Sequence, residues 1–106
     1  MEHMKTNRPV TQRQEQQHER ALFTAILALR SVEECRSFFR DLCTPAELQA
    51  MADRWAVVEL LERGLCYREI HKLTGVSVTT VGRVARYLIS GNGGYRAVTE
   101  RLRLDT

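Results

Sequence analysis

Arg68, Lys72, Arg83 and Arg86, with the hydroxyls of Ser77, Thr79 and Thr80 among them, bring strong hydrogen-bond donors together in one stretch. Guanidinium and ammonium groups bind phosphate oxygens through charge-assisted bonds. A guanidinium also matches the paired acceptors on the major-groove edge of guanine, and a hydroxyl suits either partner. Val78 and Gly82 are small enough to let another molecule approach closely. The residue types for other chemistry are present, but their spacing is wrong. Cys35, Cys43 and Cys66 are odd in number and match neither a disulfide framework nor paired zinc ligands, and His3, His18 and His71 are scattered. No nucleophile, base and orienting group recur at a recognisable spacing. The expectation is reduced thiols, no metal site, no catalytic residue and no enzyme.

The elements that must carry those donors are readable between Tyr67 and Leu88. Ile70 and Leu73 place an apolar stripe on a first helix, and Gly75 can take the left-handed conformation that stops it. Val76 is expected to tuck under the turn. Ser77 can cap a second helix, in which Val81, Val84 and Leu88 recur at spacings of three and four. One face of that helix is core. Val78, Thr79, Gly82, Arg83 and Arg86 are left on the other, near the helix start that helix-turn-helix proteins insert into the major groove. The motif predicts a reader of double-stranded DNA. His71 is a departure, because small residues are usual there; it implies a wider crossing of the helices or an outward-pointing ring. Two amphipathic helices around a glycine also pack without nucleic acid, so the alternative is a helical protein-interaction module whose helix-turn-helix is no longer used for DNA.

At 106 residues and 12.2 kDa the chain is long enough for one domain with a modest core, which dimerisation would enlarge. Its net charge of +3 is unevenly placed. Tyr67 to Arg103 holds seven basic residues against two acidic, while Met1 to Cys66 holds nine against ten. The basic half is the helix-turn-helix half, as phosphate contact requires. No run of eighteen apolar residues and no signal-peptide pattern occurs, so a cytoplasmic protein without membrane attachment is expected.

Residues 1–11 read as a flexible polar arm and 12–106 as a single helical domain. Leu22, Phe23, Ile26, Leu27 and Leu29 form a broad apolar face on a helix near 12–30. Ser31 with Glu34 has the form of a capping box for a helix to about Leu42, presenting Val32, Cys35, Phe38, Phe39 and Leu42. Together, 12–42 are expected to be dimerisation helices. Thr44, Pro45 and Glu47 open a scaffold helix over 44–63 with Leu48, Met51, Trp55, Val58 and Leu61 on one face, ended by Gly64. The helix-turn-helix spans 67–89. The run Gly91-Asn92-Gly93-Gly94 breaks the chain before a last helix over 95–104. No strand pattern competes, so the fold is all-α with about six helices.

In this order the chain resembles the tryptophan operon repressor superfamily, and more closely its YerC/YecD-type branch. The resemblance runs from about Cys43 to Leu102. It rests on Thr44-Pro45, Glu47, Ala50, Arg54, Val58, Glu59, Arg63-Gly64, Arg68-Glu69-Ile70, Gly75, Thr80, Arg83 and Leu88; the Gly91 to Tyr95 segment favours the branch. It implies a Trp-repressor-like intertwined homodimer whose N-terminal helices share one core, and a regulator of transcription, a repressor in the first instance. It also implies an effector position at Thr44, Arg54 and Arg83. Arg54 has a competing reading as an ion pair with Asp53 or Glu59. Two departures argue against L-tryptophan as the co-repressor: Val84 stands where a small glycine is usual, and Tyr87 stands where a serine is usual and could fill the cavity with its ring. No cofactor is established by these residues, and the small-molecule effector is left open.

Overall fold

The computed structural model describes residues 11–104, and these form six helices and no strands: α1 (Gln12–Leu27), α2 (Val32–Leu42), α3 (Pro45–Glu62), α4 (Tyr67–Thr74), α5 (Val78–Ser90) and α6 (Gly94–Leu104). The fold is all-α. Residues 1–10 of the expected arm lie outside the described residues. Among the described residues no helix is long and apolar enough to cross a membrane. The chain divides after Leu42 into two compact units.

The first unit is built by caps. The Thr11 hydroxyl accepts the Gln14 N–H at 3.1 Å and the Gln14 side chain accepts the Thr11 N–H at 3.0 Å, so Thr11 starts α1. The helix ends at Leu27, short of residue 30. Ala28 and Leu29 turn their N–H groups back to the Ala25 and Ile26 carbonyls at 3.1 Å, tightening the last turn. The Arg30 N–H is taken by the Glu34 carboxylate at 2.8 Å, which draws this residue into the start of α2. Ser31 caps α2 as expected, accepting the Glu34 N–H at 3.0 Å; the reciprocal bond comes from Arg30 rather than from Ser31. Neither helix buries a residue. Phe23 is 53 %, Leu27 85 %, Val32 69 % and Leu42 50 % exposed.

The second unit has a core. Thr44 and Glu47 exchange both bonds of a capping box, at 3.1 and 2.8 Å, with Pro45 opening α3. Gly64, at φ 86°, turns the chain out of α3 toward α4. Val57, Val58, Ile70, Val76, Val81 and Val84 are buried together, with Trp55, Leu60, Leu61, Leu65, Leu88 and Tyr95 packed around them. α3 is therefore the slab against which α4 and α5 are pressed. Two expectations for apolar faces are corrected here. On α3 the fully buried pair is Val57 and Val58, whereas Met51 remains exposed; on α4 Ile70 is buried but Leu73 is 68 % exposed. α4 has only eight residues. Such a short helix crossing its neighbours offers about one turn to the core, and Ile70 occupies it.

Candidate nucleic-acid interface

α4, the turn from Gly75 to Ser77 and α5 are joined by polar side chains as well as by the valine core. Gly75 has φ 77°, and its N–H bonds the His71 carbonyl at 2.8 Å. Few residues other than glycine tolerate that left-handed backbone. The Thr74 hydroxyl donates to the Ile70 carbonyl at 2.7 Å and accepts the Val76 N–H at 3.0 Å. His71 then closes the corner. Its Nδ1 lies 2.8 Å from the Val76 carbonyl, and because a carbonyl only accepts, Nδ1 carries the donated proton. His71 is exposed, as an outward-pointing ring requires, and it makes this bond across the turn in addition. Sequence reasoning missed it because the partner is a backbone atom five residues away.

Ser77 caps α5, accepting the Thr80 N–H at 3.1 Å and donating to the Thr80 hydroxyl at 3.0 Å. Of the three hydroxyls expected to face a nucleic acid, that of Ser77 is thus engaged within the motif. Thr80 keeps its own proton to donate, and the Thr79 hydroxyl has no hydrogen-bond partner among the described residues. Arg68, Lys72, Val78, Thr79, Arg83 and Arg86 are exposed. None of Arg68, Lys72, Arg83 and Arg86 is in an ion pair among the described residues, although Arg103 meets Glu62 at 2.8 Å elsewhere in the unit. Glu69, the acidic residue of α4, faces the start of its helix instead. The Cys66 N–H bonds its carboxylate at 2.9 Å and, with the Cys66 thiol as a second contributor, holds its pKa below the usual carboxylate value.

Two aromatic rings flank this face. A Cβ added at Gly82 would lie 3.7 Å from the Tyr67 ring, an ordinary contact, so nothing inside the unit obliges this mid-helix position to be glycine. The Arg83 guanidinium carbon lies 4.6 Å from the centroid of the Tyr87 ring.

A family model described as Trp repressor protein matches residues 17–103. The chain belongs to the Trp repressor family. That family is one of transcription regulators. The Bacillus subtilis protein YerC, described as uncharacterized, is 43% identical over 82 residues, which cover 77% of this chain and 79% of YerC. A solved TrpR-like protein from Eubacterium eligens is 41% identical with a TM-score of 0.74, over 87% of this chain and 90% of that one. A solved candidate Trp repressor from Staphylococcus aureus is 35% identical with a TM-score of 0.78, over 89% and 96%.

The three residues that the family resemblance marked for an effector have separate surroundings. Thr44 spends its hydroxyl on the cap of α3. Arg54 is half-buried and has no ion pair among the described residues; Asp53, one suggested partner, accepts instead from Gln49 Nε2 at 2.8 Å. Arg83 lies over Tyr87. Val84 is 1 % exposed and belongs to the valine core, whereas Tyr87 is 42 % exposed. Tyr87 lines a cleft. The cleft, about 460 Å³, is bounded by Trp55, Tyr87, Asn92, Gly94, Tyr95 and Val98, with Trp55 and Tyr95 rings 6.3 Å apart. Its lining includes none of Thr44, Arg54 and Arg83. Among the described residues no group of three histidines, cysteines or carboxylates comes together to hold a metal.

Proposed function

We propose that this chain is a sequence-specific DNA-binding regulator of transcription, acting as a homodimer that places one α5 in each of two successive major grooves and represses the genes it marks. The observation that carries this reading is the division of labour on α4 and α5. Ile70, Val81 and Val84 are buried against α3, while Arg68, Lys72, Arg83 and Arg86 stand exposed and without ion pairs among the described residues. Cations left unneutralised by their own protein are available to phosphates and base edges. Arg83 and Arg86 would reach bases or phosphates, Arg68 and Lys72 phosphates, and Thr79 and Thr80 base edges or backbone. Ser77 would hold the helix start in place, and Val78 and Gly82 would admit the duplex. Homodimerisation is supported by α1 and α2, which bury nothing while leaving Phe23, Leu27, Val32 and Leu42 exposed. A cytoplasmic protein is the corresponding reading; among the described residues no helix is long and apolar enough to cross a membrane. The packing of Val84 and the stacking of Arg83 support regulation by something other than L-tryptophan.

The test is selection of bound genomic fragments by the purified protein, with and without candidate amino acids. Enriched fragments sharing a pseudo-palindrome are expected, and recovery of none at low salt would overturn the reading. Arg83→Ala should weaken binding to the selected site by about 1–3 kcal/mol if Arg83 reads a guanine. The apolar exposure of Leu73 and Val78 on the same motif favours a second reading, a module that binds another protein. Salt separates the two, since phosphate contact weakens steeply with ionic strength and an apolar interface does not.

A further inference from the structure

We propose that Tyr87 is a positioning residue for DNA recognition, holding the Arg83 guanidinium ready for the duplex without help from any small molecule. The inference rests on the DNA-binding reading above and adds a residue and a mode of regulation to it.

An arginine on an exposed helix face samples many rotamers, and fixing it on a base edge costs entropy at the moment of binding. Here the guanidinium carbon lies 4.6 Å from the Tyr87 centroid, one turn further along α5. A ring contact of this kind restrains the arginine while leaving its in-plane N–H donors, the groups that grip guanine or phosphate, without a carboxylate to occupy them. The ring is 42 % exposed and lines the cleft whose other walls include Trp55 and Tyr95. Its contact with Arg83 is made within α5 and is complete in the protein alone, so the restraint does not wait for a ligand.

The test uses the full chain and the duplex recovered by genomic selection, with a shuffled duplex of equal composition as reference. Tyr87→Leu should weaken binding to the selected duplex by about four- to twenty-five-fold, two copies of a contact each worth about two- to fivefold, and leave the shuffled duplex unaffected. Tyr87→Phe keeps the ring and should restore wild-type affinity. Tyr87→Leu added to Arg83→Ala should cost nothing further. In the free protein, the Arg83 Nε–Hε resonance should lose its ring-current shift in Tyr87→Leu, a readout that needs no DNA and can be repeated with Tyr87→Met should the leucine variant fold poorly. Wild-type affinity in Tyr87→Leu, with Arg83→Ala still impaired, would overturn the inference and leave the DNA-binding reading standing. Unchanged affinity in Arg83→Ala would overturn the inference together with the role of Arg83. An Arg83 resonance indifferent to loss of the ring would overturn it whatever the DNA results.

Discussion

The unit up to Leu42 and the unit that follows are both helical and both capped, yet only the second has an interior. From α3 onward six residues share a buried cluster, whereas α1 and α2 hide none and expose Phe23, Leu27, Val32 and Leu42. Caps specify where helices begin; they contribute little toward holding helices of 16 and 11 residues together. The second unit closes on itself through valines from α3, the turn and α5 and through Ile70 of α4. The first has apolar surface in need of a cover, and on the proposed reading a second copy provides it.

The contrast can be broken most sharply in the core. Ile70→Ala should destabilise the protein by about 2–5 kcal/mol in denaturant titration, since it empties a fully buried site. A cost near zero would mean that the second unit is not the stable half. Leu27→Ala probes the other side. If a second copy covers α1, it should cost about 2 kcal/mol or more, with a midpoint that rises with protein concentration. A residue that stays 85 % exposed would instead cost less than about 0.5 kcal/mol, and that result would remove the shared core.

Two smaller effects sharpen the comparison within the second unit. Gly82→Ala should raise stability by roughly 1 kcal/mol, because alanine is the better helix former and the methyl has room. The same change should weaken binding to the selected duplex if that position admits DNA, so stability and affinity would move in opposite directions. Glu69→Gln should alter only the acid limb of the stability curve. The folded chain holds the Glu69 pKa below the ordinary 4.5, so its contribution is complete above that value and is lost as pH falls through the lowered one. Thermal midpoints measured from neutral pH downward should therefore fall less in the glutamine variant.

Much of this was legible in the residues, because caps and glycines act locally. Thr44 with Glu47, Ser77 before α5 and Gly75 at the turn each take the role their types imply. The end of α1 was not legible, since no glycine marks it and the bond that recruits Arg30 comes from Glu34 on the next helix. Periodicity put Leu73 and Met51 on apolar helix faces but could not know that α4 offers a single turn to α3, or that the fully buried pair on α3 is the adjacent Val57 and Val58. In the candidate site, the sequence revealed which groups could donate. Which donors are spent internally, as at Ser77, and which rest on a ring, as at Arg83, depends on side-chain geometry that no spacing encodes.

The bond from His71 to Val76 has a consequence for the imidazole itself. With Nδ1 committed as donor, the neutral ring is held in the less common tautomer, and Nε2 is left as a bare lone pair beside the corner of the motif. Nitrogen chemical shifts distinguish that tautomer from its alternative. The protein thus carries a native spectroscopic label whose signal reports, without any added probe, whether the turn leading into α5 is shut.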